Sequence, residues 1–187
     1  MKHRKIFRAV LIVSVVLCGL VGIGLRAQQD KYTLKVPGGL AFSEFRGYES
    51  WQAIAISHSE TAVAVILGNP VMIGAYQAGI PGNGKPFPDG AKMAKIHWTP
   101  KKSGTAPGPT TVPGALQNVD FMEKDSKKFA GSGGWGWAAF DYDAASNSFT
   151  PSTMADRPPQ ANDAKCGFAC HTIVKTRDYV FTDYGQR

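Results

Sequence analysis

Residues 135–142 read Trp-Gly-Trp-Ala-Ala-Phe-Asp-Tyr, and this stretch decides the fold. It is rich in aromatic residues, and strand alternation puts Trp135, Trp137 and Ala139 on one face. Gly131 to Gly134 punctuate the chain just before it, and Glu123 to Phe129 read as a charged helical turn. Upstream, Leu116 to Met122 form a second expected strand. Ala91 to Trp98 form a third, in which Ala91, Met93, Lys95 and His97 share the face expected to meet the core. Between those two strands, Thr99 to Gly114 is rich in Pro, Gly, Thr and Lys and reads as a surface loop.

Farther out, Ile80 to Gly90 is a loop built from turn residues, and Val71 to Ala78 follow the Asn69-Pro70 break as a helical turn or two. Gln52 to Leu67 suggest two strands around His58-Ser59-Glu60. Ala41 to Trp51 suggest a short helix with Phe42, Phe45 and Trp51 near one face, after an extended lead over residues 28–38. Downstream, residues 147–164 are polar and Pro-rich. Short strands, Gly/Pro turns and only short helices predict a mainly β fold, an antiparallel sheet with a few helices. No linker divides residues 28–187, so they form a single domain.

The N-terminus has its own signature. Met1-Lys2-His3-Arg4-Lys5 is basic, Ala9 to Leu25 is an uncharged and almost wholly apolar run, and Ala27 offers a small residue for cleavage. Residues 1–27 are therefore read as a secretory signal peptide, with a retained membrane anchor as the alternative. Lipid attachment at Cys18 is disfavoured because the preceding Leu17 is not small. Export places the protein in a periplasmic or secreted, oxidising setting. Cleavage removes five of the 21 Lys and Arg and none of the 14 Asp and Glu, so the formal charge falls from +7 to +2. That small residue of charge excludes a nucleic-acid-binding surface.

The processed chain keeps two cysteines, both in Lys165-Cys166-Gly167-Phe168-Ala169-Cys170-His171. Two thiols followed at once by histidine is the pattern of covalent c-type haem, in which the histidine becomes the axial ligand. The usual spacing has two intervening residues. This chain has three, and Gly167 offers the backbone freedom for a bulge. A disulfide between Cys166 and Cys170 is the open alternative, since four positions can reach the required separation. Zinc is weaker, because Cys, Cys and His171 supply only three ligands where a structural site wants four.

Beyond this segment the sequence resembles the cytochrome P-460 family, exported mono-haem proteins of bacteria. The resemblance is carried by Tyr48-Glu49-Ser50-Trp51, by Phe87-Pro88-Asp89-Gly90 followed by Lys95, and by Lys124-Asp125-Ser126-Lys127-Lys128-Phe129. It continues through Gly133-Gly134-Trp135-Gly136-Trp137 and ends on Cys170-His171 with Asp178-Tyr179-Val180-Phe181-Thr182. It implies a bent antiparallel sheet, a homodimer, and one haem c per chain held by Cys166 and Cys170 with His171 on the iron. It also implies that Lys95 is the lysine joined to the porphyrin in some members, where the residues alone allow a surface lysine. Asp120 falls where active members carry a proton-relaying Glu; without the resemblance it reads as an exposed carboxylate on an edge strand. His58 and His97 stand isolated and read as ordinary polar residues.

Two functions are compatible with this resemblance. One is oxidation of hydroxylamine or a related small nitrogen compound at five-coordinate iron, with Asp120 as base and electrons leaving to a redox partner protein. The other is non-catalytic binding of nitric oxide or carbon monoxide, as in the β-type cytochromes c′. N-terminal sequencing of the exported protein should find a soluble chain beginning close to Gln28; full-length chain confined to membranes would mean an anchor instead.

Overall fold

A computed structural model describes residues 28–36, 39–152 and 167–187, so the N-terminal segment and Cys166 lie outside the described residues. Six strands form one antiparallel sheet in plain sequence order. They are β1 (Gln52–His58), β2 (Val63–Gly68), β3 (Lys92–Lys102), β4 (Thr111–Lys124), β5 (Trp135–Asp143) and β6 (Ser148–Pro151). Helix α1 (Pro70–Gln77) connects β2 to β3, and the four-residue helix α2 (Phe168–His171) follows the sheet. The mainly β, antiparallel, single-domain expectation holds. Among the described residues no helix is long and apolar enough to cross a membrane.

Each strand pairs with the next one in the chain, so side-chain alternation alone sorts residues onto two faces. Ala94, Phe121, Ala138 and Phe140 occupy the first face, each at most 2% exposed. The 3-10 turns Phe42–Phe45 and Tyr48–Ser50 cover it. Phe45 stacks on Phe121 at 4.1 Å between ring centroids, and Phe42 meets Phe140 at 4.8 Å. Such ring pairs add about 0.5–1.5 kcal/mol each beyond simple burial. The second face carries Met93, Lys95, Asp120, Met122 and Trp137 and lies beneath the C-terminal segment. The Met93 face was expected to meet the core, and Ala91 and Met93 are buried in it; the same face also lines a cavity, and the main aromatic cluster lies on the opposite face.

Three other expectations shift. The 99–114 loop shrinks to residues 103–110, because β3 and β4 extend past the sheet as a two-stranded ribbon in which Pro100 and Pro113 sit opposite each other. Among the described residues the ribbon has no third strand to bond there, so a missing proline N–H costs little. The 41–51 helix is two 3-10 turns, separated by Gly47 in left-handed backbone. Residues 148–151 form an edge strand at the start of the polar, Pro-rich stretch, where no strand was expected. Helix α1 starts as its sequence dictates. Asn69 caps it by accepting the Met72 N–H at 2.9 Å, Pro70 opens it, and the same Asn69 oxygen accepts the Lys92 N–H at 3.1 Å.

The C-terminal segment is tied down at several points, through Gln52 to Tyr184, Arg187 to the Ile54 carbonyl and, at a buried ion pair, Lys124 to Asp178. Lys124, at the end of β4, is 5% exposed, and its ammonium lies 2.7 and 2.9 Å from the two oxygens of Asp178. It also donates to the Gly133 carbonyl at 3.0 Å, while the Phe87 N–H donates to Asp178 at 2.7 Å. Gly133 has φ +69°, and a Cβ there would collide with the Tyr179 ring. Replacing Lys124 by Met strands the Asp178 carboxylate away from water. Lys124→Met should lower stability by about 3–5 kcal/mol, read as a lower urea midpoint, and adding Asp178→Leu should recover part of that loss.

Candidate cofactor pocket

Between the second face of the sheet and the C-terminal segment lies a cavity of about 330 Å³. Sheet and segment supply different residues to it. Met93 and Lys95 come from β3, Asp120 and Met122 from β4, Trp137 from β5, and His171, Val180 and Phe181 from the segment. The lining is mostly apolar, with Lys95, Asp120 and His171 as its ionisable groups.

His171 closes α2, and its orientation is fixed from three sides. Its Nδ1–H donates to the Tyr179 carbonyl at 2.6 Å. Its ring lies 5.3 Å from Trp137 and 4.9 Å, edge-on, from Phe181. With the proton committed to Nδ1, Nε2 keeps the lone pair in the neutral ring, the arrangement a metal-binding imidazole needs. Burial holds the His171 pKa below its ordinary 6.5. The Tyr179 carbonyl opposes that effect, the charge of Lys95 adds to it, and Asp120 opposes it weakly.

The described donors fit a porphyrin. Among the described residues no three of His, Cys, Asp or Glu cluster as a metal cage. A porphyrin brings four nitrogens of its own and needs one axial donor, which His171 can supply. An orphaned polar atom also marks the pocket: the Trp137 Nε1–H is buried and unpartnered among the described residues. The pyrrole edge of that indole packs against Gly167, where a Cβ would collide with it. Gly167 has ordinary helical backbone, φ −88°, so its value here is the missing side chain rather than the conformational freedom expected from the sequence. Cys170 is exposed and directly precedes His171 on α2; Cys166, its expected companion, lies outside the described residues.

Lys95 and Asp120 are directly opposed partners of β3 and β4, and both line the cavity. Lys95 is half-buried and shares the pocket with His171. Asp120 was read as an edge-strand residue in the absence of the resemblance, yet β4 is an interior strand. Its oxygens are held by the Asn118 amide at 2.7 Å and by His97 Nε2 at 3.0 Å. His97 had read as isolated, because its partner lies 23 residues away and the two meet only through the β3–β4 register. Trp135, grouped with Trp137 by alternation, is fully buried beside Lys124, whose ammonium lies 5.1 Å from its ring centroid.

The depressed His171 pKa has a sign that can be measured. Between the folded and the ordinary value the unfolded chain binds more protons, so stability falls as pH drops below about 6.5. In haem-free protein, the part of this acid sensitivity due to His171 should vanish in His171→Gln, as followed by thermal unfolding between pH 7 and pH 5.

The family model for cytochrome P460 matches residues 45–182, which takes in both walls of the cavity and the Cys170-His171 pair. Among curated proteins no relative matches the chain. The match spans well over half of the sequence, and with the donor set of the pocket it leads to one conclusion: the chain belongs to the cytochrome P460 family, for which haem c is the implied group.

Proposed function

We propose that this is an exported mono-haem protein that oxidises hydroxylamine or a closely related small nitrogen compound. One observation carries the proposal: the Asp120 carboxylate, 41% exposed, stands on the wall of the cavity that His171 also lines. In this reading Cys166 and Cys170 hold the haem, His171 Nε2 is the axial donor, and Lys95 reaches the macrocycle edge. When bound, haem c supplies a coordination position for the substrate and a path for electrons towards an external acceptor protein.

The protein's own residues do the rest. Removing electrons from hydroxylamine releases protons, and a carboxylate beside the substrate takes them up. Met93 and Met122 give the pocket an apolar wall, while Trp137 and Phe181 pack on the His171 ring. Nδ1–H bonding to Tyr179 holds the imidazole at one angle and increases its donor strength. A second reading, storage or sensing of nitric oxide or carbon monoxide, draws on the same apolar lining but has no use for Asp120.

Protein matured with the cytochrome c machinery should stain for haem on a denaturing gel and exceed the polypeptide mass by one haem. A mass short by two hydrogens with no Soret band would instead mean a Cys166–Cys170 disulfide. Stopped-flow mixing of the ferric protein with hydroxylamine and an artificial acceptor should show turnover. Asp120→Asn should cut it by about 100-fold or more, the range for losing a general base. Tight nitric oxide binding without acceptor reduction would favour the binding role.

A further inference from the structure

Asp120 sits across the ladder from Lys95, close enough for opposite charges to attract strongly. The two nevertheless do not form an ion pair among the described residues. The carboxylate is held by the neighbouring pair of the ladder, His97 and Asn118. Oδ1 accepts the Asn118 amide at 2.7 Å and Oδ2 faces His97 Nε2 at 3.0 Å. Two donors at two oxygens fix both side-chain torsions of an aspartate. They turn the group along the strand and leave the Lys95 amine unneutralised.

We propose that His97 is a positioning residue: it donates Nε2–H to Asp120, aims the carboxylate at the pocket and keeps it from closing onto Lys95. The inference rests on the reading of Asp120 as proton acceptor, and it assigns His97 a role that its sequence position hides. The surroundings agree. Towards β2, His97 pairs with Ala64, which has no charge or hydrogen-bonding side chain. On this face the ladder sets Lys95, His97 and Asp141 around the carboxylate, and His171 faces it from α2. Because Asp120 is 41% exposed, it exchanges protons with water directly and needs no relay through His97, whose side chain is only 17% exposed. The role of His97 is therefore geometric. An aspartate, one methylene shorter than glutamate, cannot correct a poor aim by extending.

Full-length, haem-loaded His97→Leu should lose turnover with hydroxylamine by about tenfold or more while carbon monoxide binding to the ferrous form stays unchanged. His97→Gln keeps a donor but cannot carry a proton, and it should restore most of that turnover. In the diamagnetic ferrous carbon monoxide form, two-bond proton–nitrogen spectra should show His97 as the Nε2–H tautomer, with a slowly exchanging proton that is lost in Asp120→Ala. Three outcomes would each overturn the proposal: full turnover in His97→Leu, equal loss in His97→Gln, or an Nδ1–H tautomer. Parallel loss of carbon monoxide binding in His97→Leu would reduce the residue to a structural one. If Asp120→Asn itself turns over normally, the oxidase reading fails; an inactive Asp120→Asn beside a normal His97→Leu sinks this inference alone.

Discussion

Lys124 and Asp178 meet in a site almost closed to water, and the orientation of His171 depends on that meeting. Removing two charges from water is costly, and their attraction offsets the cost only when the remaining valences are filled. Here the Gly133 carbonyl and the Phe87 N–H fill them. Pinned in this way, the chain turns through left-handed backbone at Asp178 and Tyr179, φ 50° and 64°. That turn delivers the Tyr179 carbonyl to His171 Nδ1 and sets Phe181 against the ring. The Gly133 to Tyr179 contact closes the same corner. A charge pair at the back of the segment thus fixes the direction of a lone pair at its front.

The other wall of the pocket depends on a different constraint. Strand register determines which side chains stand opposite each other, and a slip of one residue would send every one of them to the other face. The ladder aligns Met93 with Met122 and Trp137, and Lys95 with Asp120 and Ala139. One row is apolar and the next carries Lys95 and Asp120, so the cavity has an apolar end and a charged end. The aromatic cluster on the opposite face holds this register, because Phe121 cannot leave Phe42 and Phe45 without opening the core.

Features encoded locally were legible in the sequence. The alternation of 135–142, the Asn69-Pro70 helix start and the paired strands around residues 58–60 are local, and each was found where expected. The extent of β3 and β4 was not legible, because Pro and Gly argue against strand, and only the pairing shows a ribbon that no third strand joins among the described residues. The site was half visible. Lys95, Asp120 and His171 were singled out by residue type and by resemblance, and the fold brings all three to one cavity. The pairings of His97 with Asp120, of Lys124 with Asp178 and of the Tyr179 carbonyl with His171 were not legible, since each needs a partner that only register or chain reversal supplies.

Two independent supports for one pocket imply that its two chemistries can be altered separately. Lys95, His97 and Asp120 take no part in the His171 to Tyr179 hydrogen bond, so changes at these sheet positions leave that bond's own partners in place. Changes at Lys124 or Asp178 act the other way, loosening the imidazole while the Asp120 cluster keeps its hydrogen bonds. Axial donation and proton transfer are different demands on a haem site: one wants an immobile imidazole, the other a correctly aimed carboxylate. The orientation of the imidazole is tied to a buried ion pair and that of the carboxylate to cross-strand hydrogen bonds, so the two roles proposed for them can fail separately.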